Sequence, residues 1–329
     1  MVEWKKLGEV CSFYRGRTIT AKEAVEGSVP VIAGGQTPSY YHNEANRTGE
    51  SITVAGSGAY AGFVAYWNQP IFVSDAFTID PSEKLLHKYV FQWLKMNQQR
   101  VFETQKGAGV PHVHGKDIAG FIVPIPSLQE QERIVAILDT FTASIDNLKE
   151  QIAQRRKQYE HYRDQLLNLE GKPEVEMRAL EQLAEIGTGS SNTQDELDNG
   201  KYPFYVRSQI VRWKNEYEFD ETAIITSGDG VGVGKVLHYV EGKYALHQRA
   251  YRIHITTGDL SPKYFFYYMQ KTFYNYIMMN AYAASVTSVR RPMLLKYPVP
   301  IICIKEQQRI VSILDTFEAS ITNLEAQLR

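Results

Sequence analysis

One helical sequence occurs twice in this 329-residue chain, 176 residues apart. Gln129–Ile152 reads QEQERIVAILDTFTASIDNLKEQI and Lys305–Leu328 reads KEQQRIVSILDTFEASITNLEAQL, identical at 16 of 24 positions. Self-similarity at a fixed period sets the architecture before any local reading does. The period is far too long for a solenoid, and each copy follows roughly 125 residues of other sequence. The chain is therefore a tandem of two globular modules, each ending in the same long helix.

The spacing inside the repeat predicts how the helices meet. Ile134, Leu138, Phe141, Ile145, Leu148, Ile152, Arg155, Tyr159, Tyr162, Leu166 and Leu169 follow alternating steps of four and three, with Arg155 the one break in an apolar seam. The second copy gives Ile310, Leu314, Phe317, Ile321, Leu324 and Leu328 with the same steps. A repeat near 3.5 residues keeps these side chains on one stripe and winds two helices into a left-handed coil, where a helix capping its own domain follows a period near 3.6. Helix one delivers the chain to module two, and helix two must return for the stripes to meet, so the expected coil is antiparallel. Ser127–Leu169, at about 1.5 Å per residue, predicts a rod of roughly 64 Å. The counterpart of Leu169 falls at position 345, 16 residues past Arg329, so Ile134, Leu138, Phe141 and Ile145 are expected to lack partners in this coil.

The modules also answer each other in order. Gly27–Gln36 corresponds to Gly200–Gln209, the glycine-rich Gly56–Gly62 to Gly228–Gly234, Asp75-Ala-Phe77 to Arg249-Ala-Tyr251, and Lys88-Tyr89 to Lys263-Tyr264. Short β-like runs lie between them at Ile52–Ala55, Phe63–Trp67, Ile71–Val73, Ala223–Thr226, Lys235–Val240 and Tyr244–His247. One helical stretch per module follows, Lys88–Thr104 and Pro262–Asn280. These patterns predict an α+β chain: two globular modules of mixed, largely antiparallel β with helices, separated by an antiparallel coiled coil, with a pseudo-two-fold internal repeat.

Net charge is −1, which argues against indiscriminate coating of nucleic acid. The distribution is more telling. Residues 84–126 carry six Lys/Arg against two Asp/Glu and residues 222–304 nine against three, whereas 1–83 and 171–221 are acidic. Each module thus has a basic C-terminal half, where phosphate would be met. The apolar run Val299–Ile304 is too short for a membrane span, and MVEWKKLGEV lacks the apolar core of a secretion signal. A cytoplasmic chain is expected, with Cys11 and Cys303 as unpaired thiols.

No catalytic constellation emerges. Gly228–Lys235 invites a phosphate-loop reading, but Asp229 stands where that motif needs glycine and Val236 where it needs Ser or Thr. Asp229 with Glu241 and Lys243 is a faint nuclease-like set that module one does not repeat, and a turn is the better reading. His112 and His114 share one face without the acidic or thiol partners of a metal site. What recurs in both modules is a set of donors in turn-like segments. Module one offers Arg15, Arg17, Thr18, Gln36, Lys106, His112, His114 and Lys116. Module two offers Ser190, Asn192, Arg207, Ser208, Gln209, Lys235, Thr287, Ser288, Arg290 and Arg291, with Ser191 and Ser285 beside them. Such side chains reach base edges and phosphates.

The chain resembles the specificity subunit of a type I restriction–modification enzyme. The resemblance spans essentially the whole length and rests on Pro-Ile-Pro-x-Leu-x-Glu-Gln-x-x-Ile at Pro124–Ile134, its two-residue-longer echo at Pro298–Ile310, and Ile-Leu-Asp at 137–139 and 313–315. It implies a first target-recognition domain at 1–125, a conserved helical region at 126–170, a second recognition domain at 171–300 and a short second helical region at 301–329. It further implies a chain without catalysis or cofactor of its own. Each domain would read half of an asymmetric bipartite site in double-stranded DNA, and the coil would set the spacer. Two modification subunits would bind S-adenosylmethionine and methylate adenine. Restriction subunits would use ATP and magnesium to translocate and cleave. The alternative from another class is a coiled-coil scaffold whose two heads bind protein partners.

Overall fold

The computed structural model describes residues 2–169, 171–172, 175–280 and 288–329. The chain divides into two compact units, Met1–Asp146 and Asn147–Arg329. The first long helix, Leu128–Leu166, begins in one unit and ends in the other.

Each unit carries a head closed by its own ends. Glu3–Lys6 pairs antiparallel with Ile122–Ile125, and Glu176–Ala179 pairs the same way with Pro298–Ile301. Each pair sits just before a long helix, so the repeat boundary is also a structural one. In the first head, strands Cys11–Arg15, Ala76–Pro81, Glu50–Ala55 and Val64–Asn68 lie side by side, all antiparallel. A smaller sheet joins Tyr40–His42, Val29–Ile32 and Phe72–Val73. The second head fuses the equivalents into one six-stranded sheet, because Leu237–Leu246 is a single strand. The sequence suggested two runs there.

In the first head the pairing lapses between the pair of Glu50 with Asn68 and the isolated bridge of Arg47 with Ile71. Gly49, with a φ of +74°, and Pro70 lie in that gap, where the second head has Glu221 and Lys243 in a continuous ladder.

Helices cover one face of each sheet. Val90, Trp93 and Leu94 of His87–Met96 pack with Ile52, Val54 and Ile79. The helical stretch expected over Lys88–Thr104 is two helices, His87–Met96 and Gln98–Phe102. Asn97 separates them, turning its Nδ2 back to the Trp93 carbonyl at 2.8 Å. In the second head Pro262–Asn280 is one helix, and its Tyr264, Phe265, Tyr267 and Phe273 are fully buried with Tyr297. Cys11 is buried and Cys303 exposed, neither in a disulfide. No described helix is long and apolar enough to cross a membrane.

The C-terminal helix, Ile304–Gln327, runs antiparallel to the second half of the first long helix. Arg156 meets Glu325, Tyr159 meets Glu318, and Tyr162 stacks on Phe317 at 5.3 Å, so rising numbers on one helix meet falling numbers on the other. Ile152 is buried, and Leu148, Ile321 and Leu324 are partly so, while Leu328 is exposed at the end. Arg155 does not break the seam as expected: its guanidinium lies 5.8 Å over the Phe317 ring. The stripe also serves the heads: Ile134 packs on the core of the first, and Ile310, Leu314 and Leu169 are buried in the core of the second, with Tyr159 and Leu166 packed against it. Leu138, Phe141 and Ile145 are 36%, 63% and 43% exposed.

A glutamine in the first turn fastens each helix. Gln131 is fully buried; its Oε1 accepts the Leu86 N–H, and its Nε2 donates to the Lys84 and Pro126 carbonyls, all at 2.9 Å. Gln307 repeats this with the Ser261 N–H and the Asp259 and Ile302 carbonyls, at 2.8, 2.7 and 2.8 Å. A buried polar group stripped of its partner costs about 1–3 kcal/mol. Gln131→Leu is therefore expected to lower stability in urea unfolding by about 2 kcal/mol or more, and exposed Gln129→Ala by less than about 0.5 kcal/mol. Equal, small losses would remove the glutamine from this role.

Candidate nucleic-acid interface

In the first head, three segments meet at one rim of the sheet. The glycine loop is stitched to the chain before the last short helix: Val113 donates to the Gly56 carbonyl and Gly58 to the Pro111 carbonyl, both at 3.0 Å. Gly56 in turn donates to the Asp75 carbonyl at 3.2 Å. Between them lies a cleft of about 480 Å³ whose polar lining is Arg15, Ser57, Asp75, His112, His114 and Lys116. Phe13 and Phe77 add apolar surface. The Ser57 hydroxyl donates to the Asp75 carboxylate. The His112 and His114 rings stack nearly parallel, centroids 6.3 Å apart.

Four of the eight expected residues of the first head thus come together in one cleft. Lys106 is exposed but engaged by Asp117. That hydrogen bond, joined against burial by the His114 N–H and the Lys106 charge, holds the Asp117 carboxyl below its ordinary range. Arg17 lies 5.1 Å over the Phe72 ring. Thr18 and Gln36 are exposed on other loops.

The second head repeats the stitching with other side chains. Val289 donates to the Gly228 carbonyl at 2.8 Å, and Gly228 to the Arg249 carbonyl at 2.9 Å. Gly228 is therefore the counterpart of Gly56, Asp229 of Ser57, Arg249 of Asp75 and Ser288 of His112. Where the first head has a serine and an acid, the second has an acid between two arginines. Arg207 Nη1 reaches one Asp229 oxygen at 2.6 Å and Arg249 Nη1 the other at 3.3 Å. Burial pushes the Asp229 carboxyl up, but the Arg207 hydrogen bond and the charges of both arginines outweigh it, leaving the group below the usual carboxylate range. Buried His247 is pushed down by desolvation and then by the same two arginines, and its Nδ1 accepts the Arg249 N–H at 3.0 Å.

Other expected residues of this head are tied into it. Ser190 donates its N–H to Glu218 at 2.8 Å, and Asn192 accepts from Gln248 at 2.8 Å. The Ser208 hydroxyl accepts the Ile210 N–H at 2.9 Å, and Gln209 donates to the Lys235 carbonyl at 3.0 Å. The Lys235 ammonium lies 5.3 Å over the Tyr274 ring. Arg290 and Arg291 are exposed where the helix Arg291–Leu295 begins. Thr287, like Ser285, lies outside the described residues.

Sequence reasoning missed Ser57, Asp75, Asp229 and Arg249. The sequence marks Asp229 as a turn residue with Glu241 and Lys243 nearby. Instead Glu241 accepts from the Tyr239 hydroxyl at 2.7 Å, and Lys243 lies 4.5 Å over Tyr217. The usable signal was the alignment of Asp75-Ala-Phe77 with Arg249-Ala-Tyr251, which set opposite charges at equivalent places. No three described His, Cys, Asp or Glu residues cluster as a metal site.

The family described as type I restriction modification DNA specificity domain matches the chain twice, over residues 1–155 and 172–329. The specificity subunit of the Escherichia coli type I restriction enzyme EcoR124I/EcoR124II is 27% identical, over 98% of this chain and 88% of that one. A putative specificity subunit of Haemophilus influenzae is 24% identical, over 98% and 89%. In structure, the S subunit of a type I restriction–modification system from M. genitalium superposes with a TM-score of 0.74 at 17% identity, covering 100% of this chain and 92% of that one. The chain belongs to the type I restriction–modification specificity family, whose work is sequence-specific DNA recognition without catalysis of its own.

The exposed pair Arg290 and Arg291 is suited to phosphate. Each lost phosphate contact lowers the slope of log affinity against log salt by about 0.9. Replacing both with Ala in the assembled complex should weaken binding to DNA and flatten that slope; an unchanged slope and affinity would place them off the DNA.

Proposed function

We propose that this chain reads one asymmetric, bipartite site in double-stranded DNA, each head contacting one half and the paired helices setting the unspecified spacer. The carrying observation is the doubled rim. Both heads stitch the same glycine loop to the same segments through equivalent backbone bonds, yet display different side chains there. A scaffold used twice with two faces suits a target of two unlike halves. An adaptor binding protein partners has no comparable need for arginine, lysine and histidine gathered at a glycine-lined cleft.

As a subunit, the chain assembles with others. The partners are two modification subunits, which bind S-adenosylmethionine and methylate adenine, and restriction subunits, which supply ATP- and magnesium-dependent translocation and cleavage. The chain itself carries no cofactor and works in the cytoplasm. Support comes from family membership and from the repeated helices, which offer two similar docking places.

Exchanging residues 1–125 for those of another family member should alter one half of the methylated motif and leave the other intact, read by methylation-sensitive sequencing of a genome. A change in both halves, or a palindrome, would defeat the assignment of one head per half. A second test concerns the stripe of Leu138, Phe141 and Ile145. Covering each such side chain is worth about 1.5–3 kcal/mol. The isolated chain should therefore self-associate in light scattering, and the modification subunits should suppress this. A monomer at high micromolar concentration would show that the stripe needs no cover.

A further inference from the structure

We propose that Asp229 is a positioning residue that holds Arg207 and Arg249 as a paired donor set for one guanine in the half of the target read by the second head. The assignment rests on the reading that each head contacts one half-site.

Three observations carry it. First, the arginines are held yet available. Their side chains are 38% and 62% exposed, while the carboxylate between them is 27% exposed. Asp229 takes one Nη1 from each, and a guanidinium has five N–H donors, so both keep donors for an outside acceptor. The backbone beneath is fixed as well: the Arg249 N–H is taken by His247 and its carbonyl by Gly228, and the Ser227 hydroxyl donates to the Asp229 carbonyl at 2.7 Å.

Second, the charge balance favours a base over a phosphate. Two guanidiniums around one carboxylate leave a single net positive charge, a weak clamp for an anion. Arginine donors forked toward O6 and N7 are the common reading of guanine in the major groove.

Third, the first head cannot make this set. The counterparts of Arg207, Asp229 and Arg249 are Gly34, Ser57 and Asp75. A Cβ at Gly34 would sit 2.4 Å from the Ser57 carbonyl oxygen, so no side chain enters there without moving the backbone. Asp75 offers an acceptor, which suits the amino group of cytosine or adenine instead. Within one chain, this rim position therefore changes from acceptor to paired donor as the half-site changes.

The test uses the chain assembled with its modification subunits, with the methylated motif read by sequencing over a randomised target library. Arg249→Gln and Arg249→Lys should both relax a single guanine position in the half assigned to the second head, by tenfold or more in preference, leaving the other half unchanged. Lysine keeps the charge but not the fork, so it separates base reading from phosphate contact. Asp229→Asn should relax the same position by a smaller factor, with the salt slope of binding unchanged. The proposal is overturned if that half contains no guanine, or if Arg249→Lys retains full selectivity. It is equally overturned if the variants weaken all sequences alike with a shallower salt slope, the behaviour of phosphate contacts. Relaxation in both halves would instead refute the reading of one head per half. The domain exchange over residues 1–125 detects that failure independently.

Discussion

Each head is bound to its helix by one buried amide, and the rest of the architecture depends on that. An amide has one strong acceptor and two donors, and Gln131 and Gln307 use all three on backbone groups that would otherwise be buried without partners. The bonds reach both the chain before the helix and the loop that starts the preceding helical segment. A glutamate would present no donor and a leucine no partner at all. Around this amide the same supports recur: the Tyr89 hydroxyl donates to the Pro124 carbonyl at 3.0 Å and Tyr264 to Pro300 at 3.1 Å. Lys88 pairs with Asp139, and Lys263 lies 3.7 Å from Asp315. Hydrogen bonds with strict geometry thereby fix the direction in which each helix leaves its head, beside the apolar contacts of Ile134, Ile310 and Leu314. That is why the helix sequences are so much more alike than the heads they follow.

The heads show how far side chains can change while a ladder persists. Arg47 opposes Ile71 in one head, where Phe219 opposes Tyr244 in the other, and Thr78 occupies the place of Arg252. In the first, the Arg47 Nε donates to the Thr78 hydroxyl at 3.2 Å; in the second, Arg252 lies 4.7 Å over the Phe219 ring. The guanidinium comes from opposite sides of the same contact. Arg252 then needs acceptors of its own, and Glu221 and Glu185 provide them. Around Gly49 and Pro70 the ladder itself differs, and the sheet of the first head divides there.

Much of this was legible in the residues because periodicity and repetition report on backbone geometry directly. The steps of four and three gave a stripe, and the tandem order gave an antiparallel pairing, which Arg156 with Glu325 and Tyr162 with Phe317 express. Periodicity says that a face is covered but not by what. Ile134, Ile310 and Leu314 thus read as seam and serve the head cores as well, and Arg155 reads as a flaw although its stem and charge fit over an aromatic ring. At the rim, Arg15, His112, His114 and Lys116 were visible as donors in loops. Asp229 was not, because an acid between glycines looks like any turn until the fold brings Arg207 and Arg249, each about twenty residues away, to its two oxygens.

The charge distribution bears on how such a chain selects a sequence. Affinity for the DNA backbone grows with each phosphate neutralised and carries no sequence information. A chain of net charge −1 has little of that affinity to offer everywhere, and part of its basic inventory is already balanced internally, Lys106 by Asp117 and Arg207 and Arg249 by Asp229. Internal pairing lowers attraction to any passing phosphate while holding the donors in one orientation. A base edge then competes for the remaining N–H groups only when its acceptors fall in the right place. Binding of the wrong sequence is weakened more than binding of the right one, and that difference, not the total affinity, is what specificity consists of.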